Sequence, residues 1–260
     1  MEQVLVDKVA ARILARLNGE AIDTSPRSVV VVFSGAASGF AAGREVVTRL
    51  ARSPHRLTVM LTPSAKHIFG EHTIRDLGAT SIVELEPWVD VSDHVRSADL
   101  VLVPTLTMNL VARLALGLMD AATTTLILGA LLAGKRVLAA RDGADPAGKR
   151  GDALGAIPEG SPVLWGLLEE RLATIAGFGV ELVGKDDFVF RMERLLIAPR
   201  GTAARVGTAT PTAAIAPRGT IVTATEIRTA APGSTLRLAA GQRLTPEAVD
   251  VAARLGLVLV

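Results

Sequence analysis

Apolar residues fall at helical spacing through Val6, Val9, Ala10, Ile13 and Leu17, which predicts an amphipathic helix over residues 3–17 ending near Asn18-Gly19. Ser25-Pro26 then breaks the chain ahead of an apolar run at residues 28–33. Its unbroken valines leave no polar face, so this strand needs cover on both sides, as in a parallel sheet flanked by helices. A turn of small residues follows, Ser34-Gly35-Ala36-Ala37-Ser38-Gly39, and then a helix over 41–51. Further strands are expected at 57–61, 81–85, 100–103 and 136–140. Between them lie a helix starting near Ser64 and a long Ala/Leu-rich helical stretch, 109–133, in two pieces. Strands alternating with helices at this spacing predict an α/β sheet.

Past Asp142 the periodicity weakens. Helices are predicted at 162–177 and 186–197, with a strand at 180–183 between them. From Pro199 to Gly219 the composition shifts to Ala, Thr, Pro, Gly and Arg without periodicity, which reads as a linker. A compact unit follows, with strands at 220–225, 235–238 and 257–260 and a helix at 246–255. Thr245 ahead of Pro246 supplies an N-cap with proline at the first helical position. The expected organisation is a main domain over 1–198, a linker over 199–219 and a small module over 220–260.

Composition narrows the function. At 260 residues, 49% of them hydrophobic and 21% charged, the chain suffices for one large domain and a small one. Mean hydropathy is high at +0.40. The apolar runs nevertheless stay far below the ~20 residues that cross a bilayer, so no membrane partner is expected. Residues 1–18 mix Glu2, Asp7, Lys8, Arg12 and Arg16 with apolar positions and lack the core of a secretory signal. The absence of cysteine excludes disulfides, thiolate zinc ligands and a thiol nucleophile, and fits a cytoplasmic protein. A formal charge of +2 and 3% aromatics, with no tyrosine, give no basic stacking face for nucleic acid.

Candidate chemistry gathers where strands end. The glycine turn after the first strand lies where a parallel sheet binds ligands and where helix N-termini attract phosphate, with Ser34 and Ser38 as added hydroxyl donors. Its spacing, Gly35-x3-Gly39-x3-Gly43, is not the GxGxxG dinucleotide fingerprint, and the same small residues serve equally to let strand and helix pack closely. Gly129 to Lys135 matches most of the phosphate-loop pattern. Arg136 stands where the magnesium-binding hydroxyl belongs, however, and the order is helix then strand, so Gly134 reads as a helix C-cap. Nucleotide hydrolysis is rejected. His55, His67, His72 and His94 form no i, i+4 pair, and no metal site is expected. His67 and His94 come nearest the ligand edge, where an imidazole can act as acid or base. After Pro104, Thr107 and Asn109 stand ready to meet an anionic or carbonyl group. Asp120, among apolar neighbours and ahead of Thr123, Thr124 and Thr125, is expected to need hydrogen-bond partners, or else to cap or break the helix.

At these residues the chain resembles the flavoprotein family of phosphopantothenoylcysteine decarboxylase, lantibiotic decarboxylases and flavin prenyltransferases. The matching pieces, within residues 27–145, are the strand and turn over 29–37, Thr62-Pro63-Ser64-Ala65, Ala98-Asp99 and Thr107-x-Asn109…Arg113-x-Ala115-x-Gly117-x-x-Asp120. The family pattern in the last piece is Ser-x-Asn-Thr…Lys-x-Ala-x-Gly-x-x-Asp, and this chain has one extra residue after Pro104. The resemblance implies FMN at the carboxyl ends of the strands. It implies flavin contacts from Ser34, Gly35 and Ala36, from Thr62 and Ser64, and from Thr107. Asp120 matches the acidic position after the glycine, and Arg141 resembles a phosphate-binding arginine of the prenyltransferases. Asn109 matches the asparagine that contacts substrate; with His94 it is the candidate catalytic residue.

The departures shape the expected activity. The decarboxylases carry a catalytic histidine seven residues before the alanine that Ala98 matches, and here that position is Val91, with His94 three residues out of register. Their Met-Asn-containing clamp is replaced by Ala139-Ala140-Arg141-Asp142-Gly143. Trp88 and Trp165 are the main residues available to stack on an isoalloxazine. The C-terminal unit resembles a small module of proteins encoded with bacterial microcompartments, or else is a folded tail that packs on a neighbouring subunit. The resulting expectation is a flavodoxin-like, Rossmann-like parallel sheet with helices on both faces and a small α+β module. It would be an FMN-binding redox enzyme or flavin carrier with a small-molecule substrate or redox partner, homo-oligomeric as trimers or their multiples, in the cytoplasm within or near a microcompartment. A decarboxylase- or prenyltransferase-like reaction is the enzyme alternative. A non-catalytic assembly protein with a decayed flavin site is the alternative from another class.

Overall fold

The computed structural model describes residues 2–18, 21–86, 89–146, 161–200, 221–227, 235–236, 243–255 and 258–259. They belong to two compact units, Met1–Ala204 and Arg205–Val260. The first contains α1 (Glu2–Leu17), β1 (Ser28–Phe33), α2 (Phe40–Ala51), β2 (Arg56–Leu61), α3 (Pro63–Phe69), α4 (Glu71–Asp76), β3 (Ile82–Glu84) and α5 (Ser92–Ser97). It continues with β4 (Leu100–Val103), α6 (Met108–Ala115), α7 (Ala122–Leu132), β5 (Arg136–Ala140), α8 (Pro162–Gly177), β6 (Val180–Val183) and α9 (Lys185–Ile197).

The strands form one wholly parallel six-stranded sheet in the order β3-β2-β1-β4-β5-β6. This is the expected flavodoxin-like α/β class. β1 pairs with β2 on one side and β4 on the other, so the winding reverses there and a crevice opens beyond the carboxyl ends of these strands. Alternation along β1 divides its valines between two cores. Val30 and Val32 meet Leu110 and Leu114 of α6 and Leu126 and Ile127 of α7. Val29, Val31 and Phe33 meet Val46, Val47 and Leu50 of α2 and Phe188 and Met192 of α9. From Val29 to Phe33 no residue is more than 3% exposed, the burial that an unbroken apolar strand requires.

Between α2 and α9 a buried ion pair is sealed, with Arg49 Nη1 3.5 Å from Glu193 Oε1. The helical stretch over 109–133 divides where Gly117 takes φ +68° and residues 116–120 are exposed. α7 ends in a Schellman cap: the Gly134 N–H donates to the Leu131 carbonyl and the Lys135 N–H to that of Ala130, with Gly134 at φ +68°. Gly129 to Lys135 is thus a helix end.

The second unit holds β7 (Ile221–Val222), α10 (Ala224–Ile227), β8 (Thr235–Leu236), β9 (Arg243–Leu244), α11 (Pro246–Arg254) and β10 (Val258–Leu259). β7 pairs with β9 and β8 with β10, both in parallel. The strand expected over 220–225 is shorter: at Ala224 the chain turns helical, which buries Ala224 and Ile227 against Ala248, Val251 and Ala252. Thr245 caps α11 as expected, its hydroxyl accepting from the Ala248 N–H at 3.2 Å. Past Arg200 the expected linker lies outside the described residues, as do positions 220, 237–238, 257 and 260 of the expected strands. No helix among the described residues is long and apolar enough to cross a membrane.

Candidate functional site

β1 delivers Ser34 to the carboxyl edge of the sheet, where it is fastened to the segment after β4. Its N–H donates to Thr105 Oγ1 at 2.8 Å and its hydroxyl donates to the Thr105 carbonyl. Both residues are buried. The hydroxyl proton expected to serve a ligand is therefore committed inside the protein, and the turn's outward donors are its backbone. The N–H groups of Gly35, Ala36 and Ser38 donate to no described residue. Gly39 and Gly43 serve packing. A Cβ on Gly39, which holds φ +85°, would stand 1.9 Å from the Pro104 carbonyl oxygen, and one on Gly43 would stand 2.5 Å from the Phe33 ring. Gly35 is different, because its Cβ would come within 2.9 Å of Ser64 Cβ, so this turn and the one after β2 touch at the cleft.

The other two walls begin at helix caps. The Thr62 hydroxyl oxygen accepts from the Ala65 N–H and that of Thr107 from the Leu110 N–H, each at 3.2 Å. An accepting hydroxyl keeps its own proton to donate, so both N-caps can also serve a ligand. Asn109 follows in the exposed first turn of α6, with Arg113 one turn further on. Ser34, Gly35, Thr62, Ser64, Thr107 and Asn109 together line a cleft of about 830 Å³. Asp120 also lines it.

This geometry changes several further expectations. Asp120 is not buried: its side chain is 49% exposed in the loop that separates α6 from α7, and its Oδ1 lies 3.6 Å from Arg113 Nη1. His94, in α5, lines a different recess with His55, Arg56 and Thr58 at the amino end of β2, across the sheet from the cleft. Arg141 follows β5 but is exposed and turned to Asp145, which its Nε meets at 2.6 Å; it does not line the cleft. Ala36 sits behind the turn, where a Cβ on Gly143 would lie 2.8 Å from its own. Trp165, in α8, is not part of the cleft wall, and Trp88 lies outside the described residues.

Among the described residues, the ionisable side chains lining the cleft are Arg113 and Asp120, paired with each other. Lys66 of α3 is turned instead to Glu84, 2.6 Å away, and that hydrogen bond holds its pKa above the ordinary value. Val91 is buried in the core. Sequence reasoning missed Ile68, Leu85, Thr123 and Thr124 as wall residues. Ile68 stands at i+4 from Ser64, so the helical period alone would have placed it on that face. Among the described residues no group of three or more histidines or acidic residues could hold a metal ion.

A doubly wound parallel sheet with a cleft at the winding reversal defines an α/β protein of the class that receives ligands at that edge. The family model described as Flavoprotein matches residues 19–150, and the chain belongs to that family. No curated protein matches it. Among solved structures it is similar to the FMN-dependent cysteine decarboxylase TvaF from thioviridamide biosynthesis, at 21% identity and a TM-score of 0.48, over 65% of this chain and 96% of that one. It is also similar to AnUbiX in complex with FMN and dimethylallyl pyrophosphate (17%, 0.48, over 66% and 93%). A third is the dodecameric FMN-dependent UbiX-like decarboxylase from Escherichia coli O157:H7 (16%, 0.44, over 60% and 78%).

Proposed function

We propose that the chain binds FMN in this cleft and uses it on a small molecule, as a redox enzyme or flavin carrier. The observation that carries the reading is convergence: Ser34-Gly35, Thr62-Ser64 and Thr107-Asn109 leave three different strands and meet on one cleft, in a chain of the Flavoprotein family. The residues fit the cofactor. The cleft's volume of about 830 Å³ lies within the roughly 300–1,000 Å³ of small-molecule and cofactor sites. The N–H group of Gly35, which lines the cleft, suits a phosphate, and the Thr62 and Thr107 hydroxyls suit polar flavin edges. Bound FMN supplies the electron-transfer chemistry that no side chain of this protein carries. Asn109 offers an amide to the substrate, and Arg113, on the same face of α6, attracts an anionic group on it.

Val91 is sealed in the core and His94 stands at the opposite edge, so no imidazole lines the cleft among the described residues. That favours the redox or carrier reading over a decarboxylase-like one, in which a proton would have to come from Asp120 or solvent. A homo-oligomer is part of the same proposal. Leu116, Leu118 and Met119 are 64%, 42% and 46% exposed in the loop ahead of Asp120, apolar area that a second copy would cover.

Mass spectrometry of the ligand released by denaturing the purified protein tests the reading, with FMN expected. Gly35→Leu, which drives a side chain into Ser64, should lose the flavin absorption while keeping the wild-type circular dichroism. A folded variant that retains wild-type flavin would refute the site.

A further inference from the structure

The amino-terminal edge of the sheet, across from the cleft, gathers positive charge. β1, β4 and β5 are neighbours, registered Val29 to Leu100 to Arg136, so the residues that lead into them come side by side. These are Arg27, Asp99 and Lys135. With Arg136, and with Arg200 beyond α9, they line a recess of about 220 Å³. Carbonyls hold the cations in place. Arg136 donates to Pro199 and Lys135 to Arg96, each at 3.2 Å, while Arg27 donates to Ala198 and Arg200 to Pro26.

Among the described residues, full counter-charges at this edge are fewer than the cations. Asp23 lies 3.0 Å from Arg27, and Asp99 lies 3.8 Å from Arg200. Among the described residues no carboxylate pairs with Lys135 or Arg136. Glu181, whose field reaches Arg136, is held by Arg191. Burial, with Arg27 and Arg191 nearby, keeps the Arg136 pKa below its ordinary value. A second observation is independent of charge. Arg27, which lines the recess, is 7% exposed, and among the described residues its buried Nε has no hydrogen-bond partner. A buried guanidinium N–H without an acceptor calls for one, and a cationic recess selects an anion.

We propose that this recess is an oxyanion site, separate from the flavin cleft, that takes inorganic phosphate or the phosphoryl end of a small metabolite. Guanidinium forks match the geometry of a phosphate better than that of a single-atom anion. The size agrees: about 220 Å³ is below the roughly 300 Å³ at which sites for whole drug-sized ligands begin. The competing account is that these cations only neutralise the carboxyl ends of α7 and α9, which point to the same edge.

Calorimetric titration of the full chain, at constant ionic strength, separates the two accounts. Inorganic phosphate and methyl phosphate are the probes. Saturable binding of one phosphate per chain at this edge is expected, weakened at least tenfold in Lys135→Gln and in Arg136→Gln and unchanged in Gly35→Leu. Arg200→Gln, on the exposed rim, replaces either variant that fails to fold. Binding of methyl phosphate as well identifies a phosphoryl end as the ligand; binding of inorganic phosphate alone identifies the free anion. No saturable binding to the folded wild type, or wild-type affinity in the folded lysine and arginine variants, would overturn the proposal. So would loss of binding in Gly35→Leu, which would put the phosphate in the flavin cleft.

Discussion

At the scale of single residues, the difference between a packing glycine and a ligand-facing one is a matter of what a methyl group would touch. Gly39 combines a left-handed backbone with a carbonyl oxygen 1.9 Å from the position of a Cβ. Gly39→Ala should therefore cost about 2–4 kcal/mol, adding left-handed strain to overpacking, measured by denaturant unfolding. Asp120 shows the opposite. Its exposure and single ion pair to Arg113 place it among surface pairs, so Asp120→Ala should change stability by no more than about 1 kcal/mol. Asn109→Ala, also exposed, should melt like wild type without flavin and reveal itself in substrate turnover. Apolar sequence neighbours point to an Asp120 that needs hydrogen-bond partners or else breaks the helix, and the break is what the chain shows between Ala115 and Ala122. Leu116, Leu118 and Met119 are exposed with it, and no periodic signal marks that loop as turned outward.

Elements were legible in proportion to their length. The valine run of β1 and the capped helix after Thr245 each carry a strong local signal, and both stand where expected. α4, α5 and β9 have six, six and two residues, too few to display a period. Placement at one sheet edge or the other is a tertiary property, which is why His94, only a few residues before β4, could be read onto the ligand edge. The three strand ends that build the cleft were legible because each carries its own turn chemistry at Ser34, Thr62 and Thr107. The contact between α2 and α9 invites a test at this scale. Breaking the sealed contact with Glu193→Ala should destabilise by about 1–3 kcal/mol, because Arg49 loses a buried acceptor while Glu45 still holds its Nε at 3.1 Å. Replacing both partners together with Arg49→Met and Glu193→Leu should recover most of that loss in thermal melts.

Among the described residues, each unit has hydrophobic core clusters of its own. The two cores flanking the sheet draw on residues up to Leu196, and the third draws only on residues from Ala224 onward. A chain ending at Ala204 should accordingly fold, keep its cooperative melt and retain flavin. Loss of cooperative unfolding on this truncation would show that the larger unit depends on the smaller one.

The central place of β1 also has a consequence for synthesis. Ser28 binds Asp99, 71 positions later, so one side of this strand waits unpaired while the ribosome completes that distance. At roughly 5–20 residues per second the wait lasts several seconds. During that interval a short, uncharged, valine-rich segment is open to pairing with other nascent chains, the hazard of sequences prone to cross-β stacking. Pro26 and Arg27 stand directly before it, one unable to extend a ladder and the other charged. The same arginine that is buried at the amino edge of the finished sheet thus guards its most vulnerable strand before the sheet exists.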